Sequence, residues 1–255
     1  MRFQKCKDLM SQLLARSPLR SWPVRVKMGL AKGARWTAFP CSSYWRGNTE
    51  TDVEAAIRAH GSMKGGCCWD LGAHFGIYTV GMGLAVGPTG QIAAFEPDPL
   101  SFDKCRRHVE MNRMSWCKLF NAGVSNLPGR SHFIVRAGLG ATTSHLRYED
   151  ENECLSSQTI EIPLVQLDQL VENGEIRQPD FIKVDVEGHG ARALAGACRS
   201  ISAARPTLVM SFHSKKELDG TQALLEPIGY FAQGMDGCVI TWEDCLYRTA
   251  VLRPR

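Results

Sequence analysis

The chain lacks long apolar runs. Nowhere in its 255 residues does a stretch approach the roughly 18 apolar residues of a membrane-spanning helix. The N-terminal region also lacks the continuous apolar core of a secretory leader. We therefore expect no transmembrane segment and a cytoplasmic location. The ten cysteines include no C-x-x-C pair and no His/Cys spacing of a zinc site. Cys67 and Cys68 are neighbours on an apolar run and are badly placed to bridge each other. Reduced, buried thiols fit this pattern better than a disulfide framework does. Internal repeats and low-complexity tracts are absent, which excludes a repeat architecture.

Acidic residues are nearly missing from one region. In residues 1–45, Arg2, Lys5, Lys7, Arg16, Arg20, Arg25, Lys27, Lys32 and Arg35 are opposed by Asp8 alone. Phe3, Met10, Leu13 and Leu14 would form one stripe of an amphipathic helix. Pro18 and Pro23 end that pattern. A solvated basic arm or cap fits this composition. So do a contact with a membrane surface or acidic partner and an organelle transit peptide. Over the whole chain the net charge is only +4. That is too weak to argue for nucleic acid, and no basic-aromatic groove is readable. No nucleic-acid partner is expected. The length suits a single α/β domain, residues 46–255, behind a basic N-terminal extension, residues 1–45.

From residue 66 onward strands and helices alternate. Strands are predicted at 67–71, 91–95, 118–120, 181–184 and 207–212, and helices at 77–86, 101–111, 167–172, 191–203 and 222–227. A further helix at 50–62 leads into the core. Segments near 230–231, 239–241 and 248–252 would close the sheet, partly antiparallel. Residues 126–164 break the rhythm. Asn126-Leu127-Pro128-Gly129 is a turn, and β-branched runs at 132–136 and 159–164 predict an antiparallel insertion near the substrate. The alternation predicts a doubly wound, mostly parallel seven-stranded sheet with helices on both faces.

Ligands of such sheets sit beyond the carboxyl ends of the strands. Polar residues fall at those ends: Asp70, Glu96, Asn121, Asp185, and Ser211 with His213. Asp70 stands before the turn Gly72-x-x-x-Gly76, where the backbone can turn sharply and approach a ligand. A carboxylate there repels a pyrophosphate and attracts a cation. S-adenosylmethionine carries an ammonium, a sulfonium and no phosphate, so Asp70 points to that donor, contacting it directly or through water. The G-x-G-x-x-G of a nicotinamide-dependent oxidoreductase is absent. Glu96 lies about 24 residues past Gly72, the offset of an acid that accepts from both ribose hydroxyls. Asn121, with Ala122, sits where an adenine edge would be read. Gly72, Ala73, Gly76 and Asp185 complete the cofactor set.

The blocks Asp70-Leu71-Gly72-Ala73-His74-Phe75-Gly76, Phe95-Glu96-Pro97-Asp98, Val165-x-Leu167-Asp168 and Phe181-Ile182-Lys183-Val184-Asp185-Val186-Glu187-Gly188 resemble the FkbM family of S-adenosylmethionine-dependent methyltransferases. Arg192-Ala193-Leu194-Ala195-Gly196-Ala197 continues the last block, and the likeness runs from about Gly47 to His213. The resemblance implies a class I methyltransferase fold and O-methylation of a hydroxyl on a small molecule or glycan. Two positions depart from the family pattern. His189 and Gly190 stand where a small residue and a glutamate usually follow the Asp-Val-Glu-Gly run. Ser211 replaces a glutamate at the end of the fifth strand. These departures leave open a cofactor-binding module that transfers nothing.

Methyl transfer to oxygen needs an aligned nucleophile and a group to take its proton. Asp185, Glu187 and His213 are the catalytic candidates, with His189 an alternative base of near-neutral titration. His74 is expected to bond locally, and Lys183 to be solvated or snorkelling. His145 and Arg147 would be substrate contacts. Asp185 and Glu187 have the donor chemistry for a divalent ion. Paired acids in a turn more often serve substrate or structure, so no metal is expected.

Overall fold

In the computed structural model the described residues are 23–38, 44–47, 50–136, 145–146 and 157–255. Two short strands open the chain, β1 (Pro23–Arg25) and β2 (Arg35–Thr37), paired antiparallel. Then come α1 (Thr51–Ala59), β3 (Cys67–Leu71), α2 (Ile77–Val86), β4 (Gln91–Phe95), α3 (Pro99–Met111) and β5 (Cys117–Phe120). A smaller sheet follows: β6 (Gly123–Val124), β7 (Gly129–Arg136), β8 (His145–Leu146) and β9 (Ser157–Val165). The rest is α4 (Leu167–Glu172), β10 (Phe181–Val184), α5 (Gly190–Ala195), α6 (Cys198–Ala204), β11 (Thr207–Ser211), α7 (Lys215–Leu225), β12 (Tyr230–Gln233), β13 (Val239–Ile240) and β14 (Thr249–Pro254).

The central sheet runs β13-β12-β14-β11-β10-β3-β4-β5. Strands β11, β10, β3, β4 and β5 pair in parallel, and β14, β12 and β13 close one edge antiparallel. The sheet therefore has eight strands, not the expected seven. The eighth is the two-residue β13, which pairs with β12 through Ala232 and Gln233. Strands β3, β4 and β5 follow in one direction from the centre, and β10 and β11 in the other. The winding reverses between β3 and β10, which is where a doubly wound sheet opens a crevice for a ligand. Every residue of β3 and β10 is buried, as expected for parallel strands covered on both faces.

The predicted helix over 191–203 is two helices. Asp168, at the start of α4, explains the break. Its two carboxylate oxygens accept from Arg199 N at 3.0 Å and Ser200 N at 2.9 Å. They cap the second helix from outside and satisfy N–H groups that a continuous helix would use itself. The predicted fragment 222–227 is the second half of a longer helix. It starts where Ser214 Oγ accepts from Glu217 N at 3.2 Å, a serine N-cap three residues before a glutamate.

Residues 23–37 share the core of the domain. Trp36 is buried and stacks on His108 of α3, with ring centroids 3.5 Å apart. Thr37 N donates to His108 Nε2 at 3.2 Å. The apolar stripe from Phe3 to Leu14 lies outside the described residues, as do residues 138–144 and Arg147. The insertion forms a four-stranded sheet, order β6-β9-β7-β8, in which β7 and β9 pair antiparallel from Gly129↔Leu164 to Arg136↔Ser157. Among the described residues no helix is long and apolar enough to cross a membrane.

Candidate active site

A cavity of about 440 Å3 opens where the winding reverses, with Gly72, Tyr78, Glu96, Lys183, Asp185 and His213 in its wall. Its floor is the turn after β3. Gly72 has φ +82, and a Cβ there would lie 1.9 Å from Asp185 O. Only glycine lets this turn press on the segment that carries Asp185. Gly72 N and Ala73 N both donate to Phe95 O at 3.0 Å, which ties the turn to the end of β4.

Glu96 follows β4 and is nearly buried. Its oxygens accept from His74 N at 2.6 Å and Asp98 N at 2.9 Å. Burial pushes its carboxyl up to about 7, against the pull of those two N–H groups. The ionised form is the one that accepts from two hydroxyls at once. If the ribose binds there, cofactor affinity will rise as pH rises through about 7. In Glu96→Gln the part of this pH dependence centred near 7 should be lost. Calorimetry at pH values on either side of neutrality reads the difference.

Asp70 does not line the cavity. It is 0 % exposed, inside β3 rather than at its tip, because the strand continues through Leu71. Its Oδ2 accepts from Thr79 Oγ1 at 2.5 Å, and its Oδ1 lies 3.7 Å from Lys183 Nζ. Burial raises its pKa, and the ammonium and hydroxyl partly offset that. The expected contact of Asp70 with a cationic ligand is thus corrected: the cation beside it is a lysine.

Lys183 is likewise not solvated. It is 5 % exposed. Its Nζ donates to Gly72 O at 2.8 Å and lies 3.7 Å from both Asp70 and Asp185. Burial disfavours the ammonium, but the two carboxylates outweigh burial, and the pKa is raised. One buried cation therefore joins the floor beneath the cavity to its wall.

Asp185 and His213 meet across the ends of β10 and β11. His213 Nε2 and Asp185 Oδ1 are 2.9 Å apart, and His213 Nδ1 lies 3.5 Å from Glu187 Oε2. Burial alone would raise the pKa of Asp185, but Lys183 and the His213 hydrogen bond hold it down at about 2. The hydrogen bond to Asp185 raises the pKa of His213, against burial. Ligand atoms of Asp185, Glu187 and His213 all lie within 4.8 Å of one another, so these are the residues that would hold a divalent ion. In the present arrangement each imidazole nitrogen faces a carboxylate, so the two carboxylates favour a proton on the ring.

The other candidates are spread around this centre. Ala73 lines the cavity. Gly76 caps α2 and packs on Cys105 instead. Asn121 Nδ2 donates to Glu96 O at 2.8 Å and Pro97 O at 3.1 Å. It holds the segment after β4, while Ala122 reaches the cavity wall. His74 has φ 50, stacks on Phe75 and shares a 3.2 Å hydrogen bond with Tyr44 OH. His189 lines the cavity, and its Nε2 is 3.2 Å from Ser125 Oγ. Burial lowers its pKa to about 4, so it is neutral at physiological pH. Ser211 Oγ pairs with Thr249 Oγ1 at 2.9 Å.

Sequence reasoning missed Glu217. This carboxylate is 1 % exposed and accepts from Gly190 N at 2.7 Å and His213 N at 2.8 Å. A Cβ on residue 190 would lie 2.6 Å from Glu217 Oε1. Glycine at residue 190 thus makes room for a carboxylate delivered by α7. Ser214 three residues before Glu217 was a readable helix start, but nothing local connects that helix to residue 190. Tyr44, Glu50, Tyr78 and Arg248 also line the cavity without a motif that marks them.

A doubly wound sheet closed along one edge by antiparallel β14, β12 and β13, with a glycine turn at the reversal and an acid one strand away, has the architecture of a class I methyltransferase. The FkbM methyltransferase domain model matches residues 70–246, and the chain belongs to that family. The hexuronic acid methyltransferase AglP of Haloferax volcanii is 23% identical over 202 residues, which is 76% of each chain. The crystal structure of an FkbM methyltransferase from Methylobacillus flagellatus is 19% identical with a TM-score of 0.50. It aligns with 76% of this chain, which spans only 44% of its length. The protein is a methyltransferase and its cofactor is S-adenosylmethionine. The site suits that molecule: Gly72 allows close backbone approach, and Glu50, Glu96 and Asp98 bring carboxylates to the wall facing a phosphate-free cation.

Proposed function

We propose that this protein methylates a hydroxyl oxygen of a small molecule or sugar, in the cytoplasm. The supporting observation is the His213–Asp185–Glu187 group on the cavity wall beside the glycine turn. When bound, S-adenosylmethionine supplies a methyl carbon already activated by its sulfonium. What remains is alignment and removal of one proton. Neutral His213, its Nε2–H donated to Asp185, takes the hydroxyl proton on Nδ1, and Asp185 orients the ring and stabilises the imidazolium that forms. Glu187 adds a second negative charge 3.5 Å from the other ring nitrogen. Lys183 keeps Asp185 ionised and in place.

A uronic acid is the sugar class favoured within this reading. AglP is by name a hexuronic acid methyltransferase. Arg248 stands in the cavity wall, where its guanidinium would receive a carboxylate in two parallel hydrogen bonds. The test is transfer of a tritiated methyl group to matched pairs of acceptors, uronic acids and their neutral sugars. Uronic acids should be preferred. Arg248→Gln should raise KM for the acids about tenfold and leave the neutral sugars unchanged. Tight cofactor binding with transfer to no hydroxylated acceptor would reduce the protein to a binding module.

A further inference from the structure

With Asp70 sealed beneath the floor, the ammonium of the cofactor's methionine end loses the anionic partner expected from the sequence. The carboxylates around the cavity are mostly engaged. Asp185 faces Lys183 and His213. Glu187 faces His213. Asp98 caps α3, accepting from Leu100 N, Ser101 N and Ser101 Oγ. Glu96 accepts from two backbone N–H groups at the ribose end. Glu50 differs: among the described residues no cationic group lies within ion-pair distance of it.

We propose that Glu50 receives the ammonium of S-adenosylmethionine. The residue sits in the cavity wall, ahead of the matched family region at 70–246. Tyr78 OH donates to Glu50 Oε2 at 2.7 Å, which fixes the carboxylate and leaves its other oxygen available. The Tyr78 ring lies 5.4 Å from Lys183 Nζ, and Lys183 bonds Gly72 O. Glu50 is thereby tied to the glycine turn. With the ribose at Glu96, the methionine arm would reach Glu50 by extending along that turn.

The backbone supports a dedicated role. Glu50 is a non-glycine residue in the left-handed region, φ 50 and ψ 56, at the N-cap of α1. Its side chain makes no capping hydrogen bond there. Serine or asparagine would serve the helix better at that position. A strained residue that forgoes its local partner and turns to a cavity is the pattern of a binding group.

The experiment compares two ligands by calorimetry. S-adenosylhomocysteine carries the ammonium, and 5′-methylthioadenosine lacks the amino-acid arm. Glu50→Gln should weaken S-adenosylhomocysteine about tenfold, the loss expected for one charge-assisted hydrogen bond. It should leave methylthioadenosine unchanged, which also shows the nucleoside site to be intact. Tyr78→Phe should give a smaller loss with the same ligand pattern. Unchanged S-adenosylhomocysteine affinity in Glu50→Gln would overturn the assignment, and so would an equal loss for both ligands.

Discussion

Lys183→Met is expected to destabilise the protein by about 3–5 kcal/mol, the usual cost of removing one partner from a buried ion pair. Methionine has nearly the volume of the lysine stem, so packing changes little. What is lost is the cation between Asp70, fully buried, and Asp185. Asp70 keeps its bond to Thr79, but its second oxygen faces only the lysine. Adding Asp70→Asn to Lys183→Met should recover part of the loss, because the stranded charge is removed with its partner. Urea midpoints of the single and double variants measure this. Equal stability of wild type and Lys183→Met would show that the buried cation does not hold the floor of the site.

The same charges set a pH dependence. Asp185 has a folded pKa of about 2 against an ordinary 3.8. Its share of stability is therefore present above its unfolded value and is lost as pH falls toward 2. Lys183 is raised above 10.5. Its share is complete below that value and is lost only in strong alkali.

Asp185→Asn should lower turnover by about 10²–10⁴-fold, the range carried by positioned acid–base groups, with a much smaller change in cofactor affinity. Two effects combine. The imidazolium formed on His213 loses the carboxylate 2.9 Å away, and the ring loses its orienting partner. The pH–rate profile separates these from a general structural loss. In the wild type His213 must be neutral to accept a proton, and its pKa is raised above 6.5, chiefly by the hydrogen bond to Asp185. The rate should rise with pH through a midpoint above 6.5. In Asp185→Asn that midpoint should move to lower pH, since the main cause of the shift has gone. Wild-type turnover in the variant would remove Asp185 from the chemistry, and an unmoved midpoint would assign the rising limb to another group.

Gly190 bears on how the site is assembled. Glu217 clamps two loops, the one after Asp185 and the one carrying His213, through Gly190 N and His213 N. The departure at residue 190, read alone, suggests a damaged site. In the structure the carboxylate of Glu217, 27 residues further along the chain, bonds Gly190 N.

Much of the architecture was legible in the sequence. Five parallel strands, their helices and the antiparallel insertion follow from local signals: apolar runs, glycine turns and β-branched stretches within a few residues of each other. Glu96 was also legible, because the strand–turn–helix unit that places it opposite the glycine turn is continuous in the chain. The partners of Asp70, Lys183 and Gly190 were decided by the tertiary structure alone. Asp70 and Lys183 lie opposite each other in the β3–β10 register, and residue 217 reaches residue 190 only because α5 and α7 pack together. Those partners are set by sheet order and helix packing, which fold the chain back over distances no local pattern encodes. Such pairings also turned the acid expected to greet the donor into a neutralised part of the floor.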